Sequence, residues 1–125
     1  MKLKPEGIAI SKYRRYIETA LQHSGGTHSY EDVVRLVREK KLQFWAGPSS
    51  CVITELIDFP QKRVAFVFLA GGNLGEIERM GPALCEWAKQ QGCVGVHFAG
   101  RPGWERTFLT RTGWTKSAVL FEKVL

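Results

Sequence analysis

The chain is 125 residues long, 44% hydrophobic and 24% charged, enough for one domain around one core and not comfortably for two. Its formal net charge of +6 favours anionic partners, but the lysines and arginines are scattered and come with no zinc-finger, RNA-recognition or homeodomain signature, which disfavours a dedicated nucleic-acid reader. No apolar run is long enough for a membrane helix, Met1-Lys2-Leu3-Lys4-Pro5 leads into no signal-peptide core, and Cys51, Cys85 and Cys93 lack metal-site spacing and read as free thiols; together these fit a cytoplasmic protein, or one inside a particle assembled there.

Residues 1–10 read as a loose lead-in, with Pro5 and Gly7 set against a helix. Ser11 can cap a helix whose Tyr13, Tyr16, Ile17, Ala20 and Leu21 share one stripe, and the run from His23 to His28 ends it. Ser29 then caps a second helix, with Asp32 at its third position and Val33, Val34, Leu36 and Val37 as its buried face. His23 and His28 have no further ligands nearby and read as loop histidines rather than a metal pair. Leu42 to Ala46 is a short strand, Gly47-Pro48-Ser49-Ser50 a turn, and Cys51 to Phe59 a longer strand interrupted by Thr54 and Glu55. Pro60-Gln61-Lys62 turns the chain again, so three sequential strands form an antiparallel meander.

Arg63 to Ala70 is short, apolar on both faces and rich in β-branched and aromatic residues, the pattern of a strand covered on both sides. Gly71-Gly72 ends it, and Asn73 caps the next helix with Glu76 placed to reach back to the cap. Leu74, Ile77, Gly81, Leu84 and Ala88 recur at helical spacing, and Gly92 supplies the stop. Pro82 interrupts that pattern. The preferred reading is one long helix kinked after Glu78, and the alternative is a helix that begins at Pro82. Cys93 to Phe98 is a strand, parallel to the one before the helix because a helical crossover joins them. Trp104 to Arg111 is a short helix closed by Gly113, and Ser117 to Val124 alternates as a final strand.

Two places carry chemistry. At Gly71-Gly72-Asn73, unpaired helix amides and the positive end of the helix dipole can receive a phosphate, unless the glycines simply form a tight turn. Around Gly100-Arg101-Pro102-Gly103-Trp104-Glu105-Arg106, the residues Arg101, Trp104 and Arg106 can hold a phosphate or carboxylate, stack on a base, or anchor a partner protein. Equally, Trp104 can cap the core while the arginines pair with Glu105, Asp58 or the C-terminal carboxylate.

This order of elements resembles that of the GNAT acetyltransferases. The stretch Leu109-Thr110-Arg111-Thr112-Gly113-Trp114 resembles that family's ending, in which a hydrophobic residue, tyrosine, a basic residue, a spacer, glycine and an aromatic precede the last strands. The resemblance implies a single α/β (α+β) domain over residues 1–125, a mixed antiparallel and parallel sheet with helices on both faces, and acetyl-CoA as cofactor. The cofactor's pyrophosphate would lie on the backbone at Gly71, Gly72, Asn73, Leu74 and Gly75. This turn, Gly-Gly-Asn-Leu-Gly-Glu, departs from the family's loop, and Glu76 adds a charge at its mouth that would repel a phosphate by about 1 kcal/mol or more. Arg79-Met80-Gly81-Pro82-Ala83 is a second, shorter match.

The family's thiolate-protonating tyrosine falls at Thr110, whose hydroxyl has too high a pKa for that task. Glu55 and His97 are strand residues able to deprotonate an amine directly or through water, although the preferred reading of each is structural, an exposed sheet-face carboxylate and a hydrogen-bonded core histidine. The expected function is acyl transfer from acetyl-CoA to an unidentified amine. The alternative is a non-enzymatic relative that keeps the scaffold for a macromolecular partner, such as a phage or prophage virion component.

Overall fold

The computed structural model describes residues 10–125, so the expected lead-in lies, apart from Ile10, outside the described residues. β1 (Gln43–Gly47), β2 (Ser50–Asp58) and β3 (Arg63–Gly72) form the expected antiparallel meander, and β4 (Cys93–Phe98) runs parallel to β3 in a sheet of order β1-β2-β3-β4. Helices α1 (Arg14–Leu21) and α2 (Tyr30–Arg38) cover one face, where Ile17, Val33 and Val37 meet Phe44, Ile53 and Leu69. Helix α3 (Leu74–Gln90) covers the other, where Ile77, Met80 and Leu84 meet Trp45, Val52 and Val67. β3 is apolar on both sides because both sides are buried. The polar groups that enter this core are answered: Trp45 Nε1 donates to Thr54 Oγ1 at 3.1 Å, and that hydroxyl donates to Gln43 Oε1 at 2.9 Å.

Local signals set most helix ends. Ser29 and Asp32 form a reciprocal box at the start of α2, each side chain accepting from the other's backbone N–H. At α3, Asn73 accepts from Glu76 N at 3.0 Å, but only half of the expected box forms, because the Glu76 side chain turns elsewhere. α3 is continuous from Leu74 to Gln90 with Pro82 inside it. Gly81 helps to make this possible, since a Cβ before proline is what disfavours helical backbone at that position.

Four expectations are corrected. Ser11 does not cap α1: a 3-10 turn over Ile10–Tyr13 precedes the helix, anchored by buried Ile10, and the capping position falls to Tyr13, whose side chain makes no capping bond. β3 runs on through Gly71 and Gly72, which pair with Cys51 and Ser50 of β2 instead of forming the turn. The short helix over Trp104 to Arg111 is two 3-10 turns, Pro102–Arg106 and Phe108–Arg111. They break at Thr107, whose hydroxyl donates to the Trp104 carbonyl at 2.7 Å and holds the backbone extended. Ser117 to Val124 forms no strand: the alternation is there, but the segment is exposed and has no ladder partner among the described residues.

The β1–β2 turn is where the layers are tied. Glu76 on α3 accepts from Ser49 N at 2.8 Å and from Ser50 Oγ at 2.6 Å, while Asn73 N donates to Ser49 O at 3.0 Å. From the other face, the Tyr13 hydroxyl donates to Gly47 O at 2.7 Å. Glycines make room for these contacts. A Cβ on Gly47 would lie 2.6 Å from Glu76 Oε1, one on Gly71 would lie 2.8 Å from the Tyr16 carbonyl, and one on Gly72 would lie 2.3 Å from the Ser49 carbonyl. Gly72 also has φ +106°, a conformation that favours glycine.

Three outcomes follow for stability. Gly72→Ala drives a Cβ into backbone atoms and should lower unfolding free energy by roughly 2–4 kcal/mol. Pro82→Ala, at an exposed site, restores a helix N–H and should raise it by about 1–2 kcal/mol, both read from urea denaturation. The hydrogen bonds from Ser50 and Ser49 hold the Glu76 carboxyl below the usual glutamate range. Its unfolded form therefore binds a proton more readily, so its contribution is whole above the unfolded pKa of roughly 4.3 and is lost as pH falls through the folded value. Glu76→Gln should lower Tm at neutral pH, and the gap from wild type should close below about pH 4. A gap independent of pH would show that the charge plays no part.

Candidate functional site

The site begins with a bulge. β2 and β3 pair in steady register until a shift between Ile53 and Thr54, where Ile53 faces Leu69 and Thr54 faces Val67, so Phe68 is the extra residue. Pairing between β3 and β4 reaches Val67 and Phe98 and stops there. Beyond that point β3 continues with β2 alone, and the chain after β4 turns off through Gly100 into the Trp104 turn. The two parallel strands thus part at their C-terminal ends, the usual place for a ligand in an open α/β sheet.

A cleft of about 300 Å³ lies over this end of the sheet, lined by Ala70, Gly71 and Gly72 of β3, Leu74 and Ile77 of α3, and Arg101 and Trp104 beyond β4. α1 and the loop after it close the other side with Arg15, Tyr16, Thr19, Ala20 and His23. Trp104 forms one wall, its ring set edge-on to Phe98 at 4.9 Å and to Phe108 at 6.4 Å. The first two amides of α3, those of Leu74 and Gly75, make no hydrogen bond among the described residues. They sit at the positive end of a 17-residue helix. The Arg101 guanidinium has no ion pair among the described residues either, while neighbouring Glu105 is taken by Lys116 at 2.8 Å. The mouth is therefore basic, and Glu76, the charge expected to oppose an anion there, is directed away onto Ser49 and Ser50.

Of the residues singled out from sequence, Gly71, Gly72, Leu74, Arg101 and Trp104 meet in this one cleft. Asn73 caps the helix beside it, and Gly75 lies in the first turn under Arg79. Glu55 and His97 lie elsewhere. Glu55 pairs with Phe66 and Phe66 pairs with His97, so the two flank that ring on one face of the sheet, two strand spacings or roughly 10 Å apart. Glu55 is half-buried and His97 exposed. Thr110 is exposed outside the cleft, with its hydroxyl on the Thr107 carbonyl at a long 3.4 Å. Arg106 also lies off the lining and has no ion pair among the described residues. Asp58 pairs with Arg63 at 2.7 Å, which removes it as a partner for either arginine of the 101–106 turn. His28 rests against the Phe68 ring at 4.6 Å, and burial pushes the Cys51 thiol up to about 12, leaving it inert.

Sequence reasoning missed the contribution of α1. Arg15, Tyr16, Thr19, Ala20 and His23 recur at helical spacing, and this was the available signal: the helix carries a mixed polar stripe beside its buried one. No family model matches the sequence, and no curated protein is significantly similar to it. Solved structures do match. A tetramutant protein from Bacillus halodurans superposes with a TM-score of 0.72 at 13% identity, covering 100% of both chains. An aminoglycoside acetyltransferase from an uncultured soil sample, in complex with trehalose, gives 0.71 at 10% identity over 99% of this chain and 94% of that one. A predicted acetyltransferase with acetyl-CoA from Clostridium acetobutylicum gives 0.67 at 14% identity over 93% of this chain and 90% of that one. At these identities the likeness concerns the fold alone: the chain shares with these proteins a small mixed-sheet α/β domain of GNAT-like fold.

Proposed function

We propose that the protein is an acyl-CoA-dependent N-acyltransferase whose cofactor is held in the cleft where β3 and β4 part. The observation that carries this reading is the pair of unbonded amides at Leu74 and Gly75, at the start of a helix whose Leu74 lines the cleft together with Arg15 and Arg101, beside a strand end that β4 has left. That donor set suits a pyrophosphate: two backbone N–H groups, a helix dipole and guanidinium groups. Gly71 and Gly72 serve the site indirectly, since the space their missing side chains leave is filled by Tyr16 and Ser49 of the protein itself. The cofactor would supply an acyl thioester. The chain's part is to orient it along β3, to exclude water with Trp104 and Tyr16, and to take a proton from the acceptor amine. Glu55 and His97 are the groups on the sheet able to take that proton, from a face the acceptor would have to reach through water. A cytoplasmic setting, where free thiols persist, fits the reading.

A second reading is favoured by Thr110. Where the resemblance calls for a tyrosine, this threonine is exposed and bonded to its own turn, as expected of a protein that keeps the scaffold for a macromolecular partner and has lost the turnover.

Calorimetric titration with acetyl-CoA and with free CoA separates these readings. Micromolar binding that weakens with salt should be lost at least tenfold in Leu74→Glu, a change at a side chain already 44% exposed, and in Arg101→Glu. Binding with thiol release in the presence of an amine supports the enzyme, binding without release supports the scaffold, and no heat at millimolar ligand defeats the cofactor site. Gly72→Glu is a poor probe, because that glycine is needed by the fold.

A further inference from the structure

A second, wider hollow of about 570 Å³ runs along α1 and the turn before it, and shares Arg15, Tyr16 and Thr19 with the cleft. This hollow is polar and basic. Lys12, Arg14 and Arg15 line it against one carboxylate, Glu18, which Arg14 already holds at 3.2 Å. Elsewhere several exposed cations find acids: Arg35 pairs with Asp32 at 3.1 Å, Arg63 with Asp58 at 2.7 Å and Arg111 with Glu78 at 3.1 Å. Lys12 and Arg15 make no ion pair among the described residues, and the Arg15 guanidinium lies 5.5 Å from the centroid of the Tyr16 ring.

The fold does not account for these two cations. Lys12 lies in the 3-10 turn before α1 and Arg15 in its first turn, where the positive end of the helix disfavours cations and no acidic residue offsets them. Both are exposed, so neither serves the core. The cleft repeats the pattern: Arg15, His23 and Arg101 line it with no carboxylate, Glu76 being bound to Ser49 and Ser50 and Glu105 to Lys116. An amine with further positive charge is repelled along this whole approach, whereas one with a negative group is drawn in. Nearby cations also lower the pKa of an ammonium, which favours the free amine that reacts.

We propose that this hollow receives the acyl acceptor, and that the acceptor is a small amine bearing a carboxylate or phosphate, its anionic group on Lys12 and Arg15 and its nitrogen directed into the cleft. The proposal rests on the acyltransferase reading of that cleft. Ser11, Thr19 and Gln22 add hydroxyl and amide partners around the anion. In the transfer, the acceptor's ammonium first gives one proton to water. Its free nitrogen then bonds to the thioester carbonyl carbon, and the C–S bond breaks. A second proton shed by the nitrogen reaches the departing sulfur through water, leaving an amide and the free CoA thiol.

Thiol release from acetyl-CoA should be measured with γ-aminobutyrate, its neutral amide and putrescine, which share one chain length, and with O-phosphoethanolamine against ethanolamine. kcat/KM should be about fivefold to tenfold higher for each anionic amine than for its neutral counterpart, should fall with salt, and should be lowest for putrescine. Lys12→Glu should bring each ratio to within about twofold of unity, and such a ratio cancels any change in cofactor binding because both amines use the same cofactor. The substitution places an acid before α1 and should raise Tm, so a lost preference does not report unfolding. Preference confined to one of the two pairs supports the proposal and names the anion. Equal rates in the wild type, a preference for putrescine, or a preference that survives Lys12→Glu overturns the proposal and leaves the acyltransferase reading standing. Calorimetry that finds acetyl-CoA bound, with no release for any of these amines, overturns the proposal and the enzyme reading together; absence of acetyl-CoA binding defeats the cofactor site and the proposal with it.

Discussion

The β1–β2 turn holds three layers of this protein in register, and the carboxylate of Glu76 is its tie to α3. That carboxylate reaches from the first turn of α3 to the backbone and hydroxyl of the β1–β2 turn, while the Asn73 amide returns a bond to the same Ser49. The turn is at the same time bound from the opposite face by the Tyr13 hydroxyl. Moving α3 along the sheet would break the carboxylate's bonds, and moving α1 would break the phenol's. The free end of α3 is thus fixed relative to β3 and to α1, the two walls between which the cleft opens. An acidic residue at a helix N-terminus commonly stabilises its own helix; this one joins its helix to a hairpin 27 residues away.

This arrangement also divides labour among neighbouring glycines. Gly47, Gly71 and Gly72 are occupied by the fold, each with a protein atom where a Cβ would stand. Gly75 meets only the side chains of Arg79 and Asn73 at 3.3 Å, so it is the glycine of this group whose backbone remains available. A glycine-rich stretch can therefore look like a ligand loop while most of its glycines serve packing. The distinction comes from what stands opposite each one.

That distinction marks how far the sequence was legible. The Ser29–Asp32 box, the meander, the parallel β4 and the length of α3 were readable because each depends on residues close in the chain or on simple periodicity. The partner of Glu76 was not, because the local box and the distant hairpin compete for one carboxylate and only the tertiary arrangement decides between them. The strand read at Ser117 to Val124 failed for another reason: alternation specifies a surface that can pair, and this segment pairs with no strand among the described residues. Within the cleft, Arg101, Trp104 and the α3 start were visible as motifs, whereas α1's wall was hidden by its buried stripe, which drew the eye to Ile17 and Leu21.

The bulge at Phe68 lets one strand serve both cores. Side chains on a strand alternate with a period of two, yet Val67 packs under α3 and Leu69, two positions on, packs beneath α1, because the extra residue between them reverses the alternation. Removing Phe68 would leave Thr54 opposite Val67 and Ile53 opposite Leu69, with every later residue on its present face, so the loss would fall on the contact of Phe68 with the His28 ring and on the local twist of the strand.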